Sequence, residues 1–419
     1  MSFAHFNLHP DLLRGVAALG FESATPIQRD AIPPAMAGRD VLACAMTGSG
    51  KTAAFMLPIL QRLLGQPRGV TRVLVVAPPR ELAAQIDEHR QELGRFTRIT
   101  GAPVFGGVGM GPQEQAFRRR VDVLVATPGR LLDHLRMPYA RLDGIEVLVL
   151  DEADRMLDMG FLPDIRRILG QLPARRQNLL FSATMPQPIV ALAKDILRDP
   201  VALHIERAAA PATGVTHTVY PVPQELKSAL FVELCKQPGT RSVLAFTRTK
   251  HRANRLAEYL ARHGVKADRI HGNRSQAQRT AALAGFKEGR FQVLVATDIA
   301  ARGIDIDALS HVINFDVPGL SEDYIHRVGR TARAEAVGDA FTLVSPDEEG
   351  DLKGIERAVG TRFSRRVLSG FDYTKRAGER LEIPLAERIA AIRARKAEDR
   401  ARARANAERR AAHTARLAR

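Results

Sequence analysis

Seven short, largely apolar runs limit what this chain can fold into more than any other feature. They are Val73–Val76, Val123–Val125, Val147–Leu150, Leu179–Phe181, Val243–Phe246, Val293–Val295 and His311–Phe315. Each is continuous rather than alternating, the pattern of a strand buried on both faces of a parallel sheet. Helix-like stretches separate them, which predicts an α/β fold of the doubly wound kind. The residues directly after the runs say where the chemistry lies. The first run leads into Pro78-Pro79-Arg80-Glu81, the second into Thr127-Pro128-Gly129-Arg130, the third into Asp151-Glu152-Ala153-Asp154 and the fourth into Ser182-Ala183-Thr184. Later runs lead into Thr247-Arg248-Thr249-Lys250 and Thr297-Asp298. Open α/β sheets bind ligands beyond the carboxyl ends of their strands, so a site is expected there.

The 419 residues suffice for two ordinary domains. Arg207 to Val215 is small, Pro-containing and nearly featureless, and the strand pattern restarts after it. One α/β domain is therefore expected over residues 1–207 and a second over 215–372. The rest, 373–419, reads as a basic Arg/Ala-rich tail. Its last 34 residues hold eleven basic against four acidic side chains, seven of the sixteen net positive charges. Apolar side chains there are almost all Ala, so a solvated, partly helical extension is expected.

A net charge of +16 and a pI near 10.5 exceed what a small anionic ligand requires and point to a polyanionic partner. A basic proteome would also raise the charge, and 52 arginines against ten lysines fit a GC-rich coding bias. No run approaches the roughly 20 apolar residues of a membrane span. Met1–His5 has no basic region leading into an apolar one, so no secretory signal is expected. Two cysteines, Cys44 and Cys235, exclude a disulfide framework, and the expected compartment is the cytoplasm.

The acidic quartet after Val147–Leu150 has a partner one hundred residues upstream. Thr47, Gly48, Ser49, Gly50, Lys51 and Thr52 come after an apolar Val41-Leu42 and precede a plausible helix. Glycines there let backbone N–H groups wrap phosphates at a helix N-terminus. Lys51 would reach the β- and γ-phosphates of ATP, and the Thr52 hydroxyl would ligate Mg²⁺. Ala45 stands where the general pattern has Gly. Asp151 would hold the metal through water, and Glu152 would orient or deprotonate the attacking water. A solvated helix cap is the bland reading of any acidic pair. It suits Asp154 or Asp158 but not acids placed directly after a core strand.

With these residues in place, the chain strongly resembles the DEAD-box RNA helicases of superfamily 2, over about residues 3–372. The run Asp151–Phe161 is similar to the bacterial RhlE-like branch in particular. The resemblance implies two tandem RecA-like parallel-sheet domains joined by a short linker. Phe21–Gln28 looks like the Q motif, with Phe3 as its upstream aromatic and Gln28 reading adenine. Ser182 and Thr184 resemble the motif that couples hydrolysis to strand separation, and their spacing permits their hydroxyls to meet Asp154. His326-Arg327-Val328-Gly329-Arg330-Thr331-Ala332-Arg333 resembles the arginine-finger motif. By that likeness Arg330 and Arg333 contact the γ-phosphate, His326 and Arg327 couple to the first domain, and Asp305 meets the ribose.

The same resemblance maps RNA contacts onto Arg80, Gly106, Gly107, Thr127 and Arg130, and onto Gln276, Arg279, Thr297 and Arg302. These are donors to phosphate and sugar, which position a strand without reading its sequence. Pro79 replaces a usual Thr and Ala332 a usual Gly, departures that touch RNA affinity rather than hydrolysis. The function implied is RNA-stimulated ATP hydrolysis coupled to local unwinding of short duplexes. An ATP-regulated RNA clamp or annealing chaperone is the alternative, and a DNA translocase a more distant one. The physiological RNA, partner assemblies in ribosomal-precursor maturation or RNA decay, and the oligomeric state stay open.

Overall fold

The computed structural model describes residues 1–45, 48–204, 215–301, 309–331 and 338–375. The expected linker up to residue 214 and the basic tail from residue 376 fall outside these ranges. Fourteen strands among them form two seven-stranded sheets, with every pairing between strands parallel. The first sheet is built from β1 (Val41–Cys44), β2 (Val73–Val76), β3 (Gly101–Val104), β4 (Val123–Ala126), β5 (Val147–Leu150), β6 (Gln177–Ser182) and β7 (Val201–His204). The second is built from β8 (Val215–Pro221), β9 (Val243–Phe246), β10 (Ala267–Ile270), β11 (Val293–Ala296), β12 (His311–Asn314), β13 (Gly338–Val344) and β14 (Ser364–Arg365).

The spatial orders are β3-β4-β2-β5-β6-β1-β7 and β10-β11-β9-β12-β13-β8-β14. The second repeats the first strand for strand, each partner standing seven strands later. Both sheets bury both faces, as the continuous runs require. Val73 and Val75 enter one core while Leu74 and Val76 enter the other. Val243 and Ala245 divide from Leu244 and Phe246 in the same way. No helix among the described residues is long and apolar enough to cross a membrane.

The repeat has a chemical trace. Lys51 opens the helix Lys51–Leu63 after β1, and Lys227 opens the helix Lys227–Cys235 after the equivalent β8. Asp151 comes directly after β5, and Asp316 stands two residues beyond the equivalent β12. In the second half these charges are fully buried and paired with protein. Lys227 Nζ donates to Phe315 O (3.0 Å) and to the Glu348 carboxylate. Asp316 lies 2.6 Å from Arg252 and accepts the Arg248 N–H at 2.7 Å.

Candidate functional site

The phosphate loop leaves β1 and enters the helix Lys51–Leu63. Gly48 and Gly50 hold φ of 83° and 92°, left-handed values that a side chain resists. A Cβ on Gly50 would also stand 2.5 Å from Gln28 Nε2. Lys51 is buried, its Nζ donating to Ala45 O at 3.0 Å, and Thr52 is half-buried beside it. Thr47 lies outside the described residues. Gln28 braces this loop: its Oε1 accepts the Thr25 N–H (3.0 Å) and its Nε2 donates to Gly50 O (3.1 Å). The amide expected to read adenine is thus engaged with protein in this state. Phe3 is buried and stacks on the half-exposed Phe21, with centroids 6.4 Å apart.

The acids at the end of β5 turn toward Lys51. Asp151 is 2% exposed, and burial pushes its carboxyl up to about 6 against the opposing pull of the Lys51 ammonium. Glu152 is a non-glycine residue at φ 52°, a strained conformation of the kind stored at working sites. Burial would raise its carboxyl too. Arg155, at 3.1 Å, together with Lys51 and Arg330, outweighs that and holds it below the ordinary carboxylate range. The sequence motifs do not mark Arg155. Its place three residues after Glu152, on the same helix face, is the one signal that could have found it.

Strand β6 lies beside β5, which brings Ser182-Ala183-Thr184 against Asp154. The Asp154 N–H donates to Ser182 Oγ (3.1 Å), while Thr184 donates N–H (2.8 Å) and Oγ1–H (2.9 Å) to Asp154 Oδ2. Ser182 Oγ in turn donates to Thr184 O at 2.7 Å. The third acid, Asp154, is thereby committed to the neighbouring strand end.

The second domain faces these groups with the helix Ser321–Val328 and the turn after it. Arg330 is 4% exposed and close enough to Glu152 to lower its pKa across the cleft. Arg327, expected to couple to the first domain, is anchored on its own side. Its guanidinium grips both Asp298 oxygens (2.6 and 2.8 Å), Asn314 Oδ1 (3.0 Å) and Asp316 O (2.8 Å), all on its own side. Arg302, Asp305 and Arg333 lie outside the described residues. A cavity of about 510 Å³ runs between the halves from Glu152 and Arg330, walled by Thr184, Thr297 and His326. A second cavity, of about 260 Å³, sits at the opposite, amino ends of the strands near Thr71 and Gly144 and touches none of these groups.

Around the cleft, Arg80 lies over Gly106 and Gly107. A Cβ on Gly107, whose φ is 84°, would stand 2.1 Å from Arg80 Nη1. Thr127 is buried at the start of the helix Pro128–Leu135, and Arg130 Nη1 donates to Val108 O at 2.9 Å. Gln276 and Arg279, expected among the RNA contacts, are bound to protein here. Both are buried, Gln276 Nε2 donating to Glu81 Oε1 (3.0 Å) and Arg279 Nη2 to Glu81 Oε2 (2.7 Å). They clasp the first domain because the helix Gln276–Lys287 points its first turn at the start of the helix Arg80–Leu93.

A phosphate loop, paired strand-end carboxylates and an arginine lent by a repeated second sheet define a two-domain P-loop nucleotidase. Residues 25–192 match the family model described as DEAD/DEAH box helicase, and residues 225–335 that of the helicase conserved C-terminal domain. The DEAD-box ATP-dependent RNA helicase CshA of Bacillus subtilis is 40% identical over 365 residues, 87% of this chain and 74% of that protein. Two solved structures of Dbp5 from S. cerevisiae are similar. The form bound to RNA and ADP BeF3 aligns with a TM-score of 0.80 at 33% identity, over 87% of this chain and 95% of that one. A variant bound to nup159, gle1, ip6 and ADP aligns at 0.62 and 31% identity, over 86% and 96%. The chain belongs to the DEAD-box family of ATP-dependent RNA helicases.

Proposed function

We propose that this helicase hydrolyses ATP only when its two domains close on one RNA strand, because the catalytic groups are divided between them. The triphosphate lies on the loop Thr47–Thr52 with Lys51 at its β- and γ-phosphates, and the base lies against Phe3, Phe21 and Gln28. Glu152, held as a carboxylate, accepts a proton from the attacking water. Arg330, with Arg333, neutralises charge that develops on the γ-phosphoryl group, and Asp305 meets the ribose. Thr52 and Asp151 are the groups that would hold Mg²⁺. The sparse donor set fits that ion, which is held by one or two protein groups together with phosphate oxygens and water. No cluster of three metal-binding side chains occurs among the described residues. When bound, the metal supplies charge neutralisation.

The observation that carries this reading is Arg330 beside Glu152 across the cleft. The two Dbp5 comparisons support a closed state. At nearly equal identity to this chain, the better match of the two is the form bound to RNA and ADP BeF3, at 0.80 against 0.62. RNA then runs along Arg80, Gly106-Gly107, Thr127 and Arg130, and past Thr297 and Arg302, through contacts to its backbone. Ser182 and Thr184, tied to Asp154, link that path to the acids of the ATP site, and His326 faces them across the cleft. Closure bends one strand so that a paired duplex cannot match its course, which separates a short duplex locally. The compartment consistent with this work is the cytoplasm, and ribosomal precursors or RNA-decay assemblies are the settings to examine.

Arg330→Ala should bind a fluorescent ATP analogue normally and lose RNA-stimulated hydrolysis by roughly 10³-fold or more, the range removed with arginine fingers in related P-loop enzymes. An Arg330→Ala protein with ordinary turnover would end the assignment.

A further inference from the structure

The cavity between the domains is larger than the reaction needs. At about 510 Å³ it could hold more than about ten waters, each occupying about 30 Å³. Its lining grades from buried to exposed. Glu152, Arg155 and Arg330 are each no more than 6% exposed, whereas Asp158 and Leu320 stand in solvent, Leu320 at 64%. The buried groups therefore form an inner end and the exposed ones a mouth. None of the described phosphate-loop residues lines it.

These facts fix a direction. In an in-line displacement the water attacks opposite the leaving β-phosphate oxygen. The β-phosphate is assigned to the loop, none of whose described residues lines the cavity, whereas Glu152 and Arg330 both line it. The cleaved phosphate is thus released toward the inner end of the cavity. Two of the acids along the wall are already engaged, Asp154 with Thr184 and Asp298 with Arg327, and Arg155, Arg248 and Arg330 line the same cavity alongside Glu152, Asp158 and Asp323.

We propose that this cavity is the exit chamber for inorganic phosphate, through which the anion leaves while the domains are still closed. The proposal rests on the placement of ATP given above. The bond balance is ordinary: water adds to the γ-phosphorus, the bond to the β-bridging oxygen breaks, and the proton passes to Glu152. Phosphate then leaves past Leu320 and Asp158, and ADP and RNA remain bound until the clasp of Glu81 with Gln276 and Arg279 opens.

Leu320→Trp should plug the mouth from one wall and Asp158→Trp from the other. Leu320 makes its helix contact through its backbone carbonyl, which accepts the Tyr324 N–H at 3.4 Å, so the side chain is open to change. ATP cleavage is read by rapid quench in the full chain with RNA, and free phosphate by a fluorescent phosphate sensor. Separate measurement divides chemistry from release. Each tryptophan variant should cleave within about two-fold of the parent and release phosphate at least about five-fold later, a lag of the kind that makes product release limit turnover. Leu320→Ala should show no lag. Phosphate that appears without delay in both tryptophan variants would overturn the proposal. So would cleavage and release slowing together, which would make these residues part of closure. A failure of the ATP placement itself would show instead as normal cleavage in Arg330→Ala.

Discussion

Single residues in this protein carry their roles through what surrounds them. Asp151 and Glu152 are adjacent carboxylates with opposite fates. Burial dominates one and raises it to about 6, while Arg155, Lys51 and Arg330 dominate the other and lower it. The pair Lys227–Glu348 shows the same physics away from the cleft. Burial pushes the Glu348 carboxyl up, but Lys227 and the donors of Ser345 outweigh it, and the result is below the ordinary value. A depressed folded pKa contributes stability that is present above the unfolded value, about 4.3, and is lost as pH falls through the folded one. Burial lowers the Lys227 pKa from its ordinary value against the opposing pull of Glu348. Glu348→Gln should therefore cost about 3–5 kcal/mol at pH 7 by stranding a buried ammonium. The gap in melting temperature between variant and parent should narrow steadily from about pH 5 downward, as the parent's own carboxyl gains a proton. A gap that stays constant down to about pH 3 would contradict this.

Elements pack here by close backbone approach as well as by apolar faces. Gly15, in the helix Pro10–Ala18, would place a Cβ only 2.2 Å from Leu93 O at the end of the helix Arg80–Leu93. The obstacle is backbone and cannot swing aside. Gly15→Ala should destabilise the first domain by about 1–3 kcal/mol, the usual cost of overpacking, in a denaturant titration. Which elements are legible in the sequence depends on burial. Val73–Val76, Val147–Leu150 and Val243–Phe246 are readable to the residue because central parallel strands are apolar on both faces. β3 and β10, at the sheet edges, are not. Gly101–Val104 contains Gly and Pro, and Ala267–Ile270 reads Ala-Asp-Arg-Ile, since only part of an edge strand is covered. β8 and β13 escape because their long ladder mixes Thr, His and Asp among the apolar residues. At the site, the phosphate loop and the acids are legible from residue type and spacing, and Arg330 from the resemblance to the family's arginine-finger motif. The partner of Arg279 is not, because its contact with Glu81 joins residues 198 positions apart in sequence.

Across the whole molecule, charge is divided by function. The two sheets hold the chemistry, and the last 34 residues carry seven of the sixteen net positive charges. As a tether, such a tail would hold RNA without regard to sequence. Removing residues 376–419 should weaken RNA binding and flatten its dependence on salt, because every phosphate no longer neutralised takes about 0.7 off the slope for a single strand. Equal affinity and slope in the shortened protein would leave the tail without that role.

The clasp of Glu81 by Gln276 and Arg279 has one more consequence. Were the halves to separate, Glu81 would lose both partners and leave its carboxylate next to Arg80. The second domain brings the guanidinium that cancels it. The carboxylate would then be neutralised only as the two halves assemble, which ties the charge of that surface to the state of the molecule.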